Sequence, residues 1–131
     1  MTFTIHSAAG VASKTTIGNH TLAFDQAPPY GDDVGPSPLD VMVASVGACA
    51  HYYAAAFLHA RKLPTDGVTV EVHAEKASSG PRRLGRLRVA VSLPASVPDE
   101  LLPRVENAVR GCPAWGTMLA GPEAEMTVTR Q

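Results

Sequence analysis

Between Val41 and Ala60 the chain carries no Lys, Arg, Asp or Glu for 20 residues, about the length that crosses a bilayer as a helix. Such a run has two homes, a membrane or the interior of a fold. Alanine fills much of it, Ser45, Gly47, His51 and His59 interrupt it, and no aromatic belt flanks it, which is unlike a membrane anchor. The expectation is therefore a buried core helix and no membrane partner. A helix apolar nearly all round needs cover on every side, and in 131 residues one layer of strands covers only part of it. A second copy of the chain is the expected remaining cover, which predicts a homodimer.

The start of that helix is sharply marked. Residues 27–37, Ala-Pro-Pro-Tyr-Gly-Asp-Asp-Val-Gly-Pro-Ser, are too rich in Gly and Pro for regular structure and predict a loop. Ser37 is the expected N-cap, Pro38 sits where a missing N–H costs nothing, and Asp40 completes Ser-x-x-Asp. The helix is predicted to run to about Lys62, with Arg61 and Lys62 at the negative end of its dipole and Pro64 beyond.

Short strands are expected before the loop. Phe3 and Ile5 alternate with threonines, Thr15 to Ile17 offers a second strand, Gly18-Asn19-His20 a turn, and Thr21 to Phe24 a third. After the helix, Val68, Val70, Val72 and Ala74 alternate with polar residues, as do Leu87, Val89, Val91 and Leu93. Ser79-Gly80-Pro81 lies between them and predicts a hairpin, with Arg86 and Arg88 facing Glu71 and Glu75 across its exposed side. A second helix is expected after Pro98-Asp99, with Leu101, Leu102, Val105, Ala108 and Val109 on one face and Gly111 at its end. Pro113 opens another short helix, and Ala124, Met126 and Val128 alternate as a last strand. The order strands, long helix, hairpin, helix, strand predicts an α+β fold with antiparallel sheets, in a single domain of residues 1–131.

Composition narrows the function classes. Hydrophobic residues make up 45% and charged residues 18%, with a net charge of -1, the balance of an ordinary globular protein. No basic run provides a footprint for nucleic acid. The N-terminal Met-Thr-Phe-Thr-Ile-His lacks the pattern of a secretory signal. Together with only two cysteines, that points to a reducing, cytoplasmic compartment, where thiols stay free unless they cycle.

The cysteines are the chemistry-bearing residues. Cys49, inside the apolar helix, reads by itself as a small hydrophobe. Cys112 lies just before a Pro-initiated helix, where free N–H groups favour a thiolate. They stand 63 positions apart, and spacing alone leaves open whether they meet. His51 and His59, eight apart, lack the tight ligand spacing of a metal site and read as core or interface histidines; neither a metal nor a cofactor is expected. Tyr53, one turn beyond Cys49, and Trp115, after Cys112-Pro113, are positioned to wall a pocket or simply to pack.

Three segments carry a resemblance. Gly35-Pro36-Ser37-Pro38-Leu39-Asp40 leads into Gly47-Ala48-Cys49, Leu63-Pro64-Thr65-Asp66-Gly67-Val68 connects helix to hairpin, and Val109-Arg110-Gly111-Cys112-Pro113 follows. In this order the chain resembles the OsmC/Ohr superfamily of osmotically inducible and organic hydroperoxide resistance proteins. The resemblance implies an intertwined homodimer with antiparallel sheets around a long central helix and sites at the interface. It implies a thiol peroxidase in which Cys49 attacks a hydroperoxide, Cys112 resolves the sulfenate as a disulfide, and a dithiol reductant reopens it. Two positions depart from the peroxidase branches: Leu39 stands where they carry a glutamate, and no arginine precedes Arg61. Asp40, nine residues before Cys49, points away from it on the helix. The resemblance is therefore to the OsmC-like branch, and its alternative implication is a non-catalytic protein binding a small apolar or electrophilic molecule in the dimer cleft.

Overall fold

Strand pairing and helix ends follow local sequence signals along most of the chain, and all residues, 1–131, are described in a computed structural model. Two units make up the chain, Met1–Ala44 and Ser45–Gln131.

In the first unit, β1 (His6–Ser7), β2 (Ser13–Ile17) and β3 (His20–Phe24) form an antiparallel sheet in that order. Ile17 pairs with His20, so Gly18-Asn19 is a two-residue turn, and Gly18 takes the positive φ of 59° that such hairpins need. The expected strand does not include Phe3 and Ile5; pairing begins after them, at His6 and Ser7 of β1. Phe3 and Ile5 are exposed, although the Thr15 hydroxyl donates to the Thr4 carbonyl at 2.9 Å.

The Gly/Pro-rich loop is organised by a buried carboxylate. Asp25, 3% exposed, accepts from the backbone N–H groups of Gln26 (2.8 Å), Asp32 (3.1 Å) and Val34 (3.1 Å). The Val34 N–H first, then that of Gln26, holds its carboxyl below the usual range, against the opposing cost of desolvation; the Asp32 N–H adds to the lowering. A depressed carboxylate contributes stability that is full above its unfolded value, about 3.9, and is lost as pH falls through the lower folded value. Denaturant melts of wild type and Asp25→Asn at pH 7 and pH 3 test this. The variant, which turns an NH2 toward N–H donors, should be less stable at neutral pH and should lose less on acidification.

Helix α1 (Pro38–Ala60) begins as expected, with Ser37 Oγ accepting from the Asp40 N–H at 3.2 Å. At its far end Lys62 takes φ 57° and the Leu63 N–H reaches back to the Leu58 carbonyl at 3.0 Å, a Schellman-type close. The chain thus leaves the helix before Pro64. Val46, Gly47, Ala50, Ala54 and Leu58 are buried, one stripe at helical spacing. Ala48, His51, Tyr52, Ala56 and His59 are exposed within the chain.

The second unit supplies the layer under that stripe. Strands β4 (Thr69–Lys76) and β5 (Leu84–Ser92) form the predicted antiparallel hairpin. Val70, Val72 and Ala74 of β4 and Leu87, Val89 and Val91 of β5 are half-buried, and the residues between them are exposed. Gly47 permits the close approach of β4: a Cβ there would stand 2.7 Å from Val72 Cγ2. On the outer face Arg88 reaches Glu75 at 3.6 Å, while Arg86 lies opposite Glu75 and Glu71 lies opposite Ala90. A 3-10 turn (Asp99–Leu101) leads into α2 (Leu102–Arg110), and α3 (Pro113–Leu119) follows. Ala54, Leu58, Val68, Val97 and Val105 form the core, with Phe57, Leu63, Val91, Leu93, Leu101 and Val109 packed against it.

The expected last strand is absent. Residues 121–131 carry no regular structure, and Met126 and Val128 are each 92% exposed. Alternation supplies a strand's faces but not the neighbouring backbone that makes it a strand, and nothing in this chain pairs with the segment.

Candidate functional site

Helix α1 holds Cys49 one position before buried Ala50, so its side chain lies half-buried on the flank of the inward stripe. Cys112 arrives from another direction. Helix α2 stops at Arg110, the Cys112 N–H closes onto the Val109 carbonyl at 3.0 Å, and Pro113 restarts a helix. That makes Cys112 the N-cap of α3, with extended backbone at φ -62°, ψ 127°. Its sulfur accepts from the Trp115 N–H at 3.4 Å, and the residue is 1% exposed.

Cys49 lies close enough to Cys112 to perturb its thiol, and both cysteines are free. Burial pushes the Cys112 thiol above its ordinary value, and its hydrogen bond to Cys49 pushes it the same way; the N–H groups of Trp115 and Ala114 pull only partly back. The helix N-terminus by itself favours a Cys112 thiolate. Desolvation outweighs it here, so Cys112 keeps its proton at neutral pH.

Beside the pair runs a groove of about 540 Å3. Val46 and Ala50 of α1, Val89 and Val91 of β5, Val105 and Val109 of α2, and Trp115 of α3 give it apolar walls. Neither sulfur lines it, but the residue after Cys49 and the third residue after Cys112 do. Its rim carries an ion pair that the sequence reading passed over: Arg110 Nε and Nη2 donate to Glu106 Oε1 at 3.0 and 2.8 Å. The i,i+4 spacing of Glu106 and Arg110 was the available signal.

Other singled-out residues fall elsewhere. His51 and His59 are exposed. Asp40 serves the helix cap through its N–H. Tyr53 is half-buried and stacks edge-on with Tyr52, ring centroids 5.3 Å apart. Arg61, the first arginine, lies 3.5 Å from the Phe57 ring centroid and donates to the Phe57 carbonyl at 3.2 Å.

A family model described as OsmC-like protein matches residues 31–127, a span that contains both cysteines. The chain belongs to the OsmC-like family. Solved OsmC-like structures share its fold: an OsmC like protein from Mycoplasma pneumoniae superposes with a TM-score of 0.76 at 14% identity, over 92% of this chain and 87% of that one. A Psychrobacter arcticus 273-4 protein assigned to the osmotic stress and detoxification response gives 0.76 at 18% identity, over 89% and 87%. An organic hydroperoxide resistance protein OsmC from Legionella pneumophila gives 0.60 at 17%, over 91% and 88%. No curated protein matches the chain. The OsmC family is soluble and its members are generally dimeric; α1 is long and apolar enough to cross a membrane by length and composition alone, which is weak evidence for a span.

Proposed function

We propose that this OsmC-like protein is a cytoplasmic, homodimeric thiol peroxidase that reduces organic hydroperoxides. The observation that carries the reading is the meeting of Cys49 and Cys112 from separate helices, 63 positions apart. The Cys49 sulfur attacks the terminal peroxide oxygen, the O–O bond breaks, and the alcohol leaves with a proton. The resulting sulfenic acid condenses with the Cys112 thiol; an S–S bond forms and water leaves. An external dithiol reduces the disulfide and is itself oxidised. The buried thiol of Cys112 suits the resolving role, because it lies near Cys49 and, while protonated, does not compete with it for the peroxide.

The apolar groove favours a substrate with an alkyl body, and the Legionella neighbour is named for organic hydroperoxide resistance. The uncovered stripe of α1, with Tyr52 64% exposed, favours a second copy as its cover, and two free cysteines suit a reducing compartment.

Reduced protein treated with an alkyl hydroperoxide should lose both thiols and gain one Cys49–Cys112 disulfide by mass spectrometry. With Cys112 above its ordinary value, the rate of disulfide closure should climb with pH through the neutral and mildly alkaline range, as the thiolate fraction grows. Two thiols that stay free in excess oxidant would overturn the peroxidase reading and leave the groove as a binding site for a small apolar molecule.

A further inference from the structure

We propose that α3 is a redox-responsive element: when Cys112 bonds to Cys49, its sulfur leaves the Trp115 N–H, the first turn of α3 opens, and Trp115 shifts from its place in the groove wall. This deepens the peroxidase reading, which supplies the oxidant in the cell, but the coupling itself is a property of the fold.

Cys112 holds two posts at once. Its sulfur is the cap of α3, at 3.4 Å from the Trp115 nitrogen, and it is the atom that must reach Cys49. Two unbonded sulfurs stand no nearer than ordinary van der Waals contact, about 3.5 Å or more, whereas a disulfide is about 2.0 Å long. Closure therefore moves sulfur by more than an ångström. Cys49 is fixed in the middle of a 23-residue helix whose flanking Val46, Gly47 and Ala50 are buried, so it is the anchored partner. Cys112 sits between two helix ends, after Gly111 and before Pro113; its N–H bonds to the Val109 carbonyl and its carbonyl accepts from the Gly116 N–H, each at 3.0 Å, so the sulfur rather than the backbone is the part that turns toward Cys49. A displacement of that size away from the Trp115 nitrogen breaks the 3.4 Å N–H···S bond that caps the helix.

Little else holds α3. None of its seven residues is buried, and its remaining side-chain bond, Thr117 Oγ1 to the Pro113 carbonyl at 2.8 Å, is internal to the helix. Beyond Leu119 the chain makes no regular structure. Trp115 joins the cap to the groove, because its amide is the capped donor while its side chain lines the cavity. The oxidised protein thus has a differently walled groove from the reduced one, which links the state of the sulfurs to what the groove holds.

Diamide tests the coupling without peroxidase chemistry: it takes two electrons and two protons from the paired thiols, is reduced to the hydrazine, and leaves the disulfide. In the full chain, hydrogen exchange at the Trp115 amide should become on the order of fivefold faster after oxidation, the scale of a lost helix cap. Emission of Trp115, the single tryptophan, should shift with it. Cys49→Ser should show neither change, and Cys112→Ser, which keeps an oxygen cap, should stay protected with and without diamide. A confirmed Cys49–Cys112 disulfide with unchanged exchange and emission overturns the proposal, as does failure of diamide to join the pair. If diamide works and alkyl hydroperoxide does not, the peroxidase reading falls and the α3 coupling stands.

Discussion

Cys49→Ser should abolish hydroperoxide turnover, a loss of roughly 10³-fold or more given that removing an enzymic nucleophile costs up to about 10⁶-fold. The hydroxyl that replaces the thiol fits the same half-buried place on α1 but is a far poorer nucleophile at neutral pH. Cys112→Ser should behave differently. The oxygen keeps the α3 cap, since serine is a preferred N-cap residue, and Cys49 still attacks, so one equivalent of hydroperoxide is consumed in a burst. Without a second thiol the sulfenic acid persists, and excess oxidant carries it to sulfinic acid, visible as a mass gain of two oxygens on the Cys49 peptide. Circular dichroism should be alike in all three proteins. Should Cys112→Ser instead be the dead variant while Cys49→Ser keeps its burst, the roles are reversed.

Ser37, Pro38 and the Cys112-Pro113 step announce helix starts because a cap is a local arrangement of a few residues, and each occurs where expected. The β4–β5 hairpin was readable for a similar reason: two alternating runs flank one Gly-Pro turn, and their partners are each other. Phe3, Ile5, Met126 and Val128 misled because a strand exists only beside another strand, and these segments find little or none in the chain. The cysteine contact lay beyond reading from spacing, since it depends on α2 ending where it does and turning Cys112 back toward α1. At Cys112 the helix N-terminus, which lowers the thiol, is written in the sequence, while the burial that raises it is not.

Leu58→Ala should cost about 2–5 kcal/mol, the largest stability loss expected of a single truncation here. Leu58 is 0% exposed and sits with Ala54, Val68, Val97 and Val105 in the core that joins α1 to the hairpin and α2. Removing its branched end deletes apolar contacts and leaves a hole that the surrounding helix and strands fill only partly. Against a total stability of about 5–15 kcal/mol, the loss should lower the melting temperature by roughly 10–20 °C. Calorimetry of Tyr52→Ala provides the contrast, because Tyr52 lies on the uncovered stripe of the same helix. In an isolated chain that truncation stays within about 0.5 kcal/mol. In the proposed homodimer Tyr52 is covered, so the variant should melt lower, dissociate at higher protein concentration than wild type, and show a concentration-dependent midpoint. A Leu58→Ala protein as stable as wild type would remove this cluster from the centre of the fold. A Tyr52→Ala protein indistinguishable from wild type at every concentration would leave the exposed stripe of α1 without a partner.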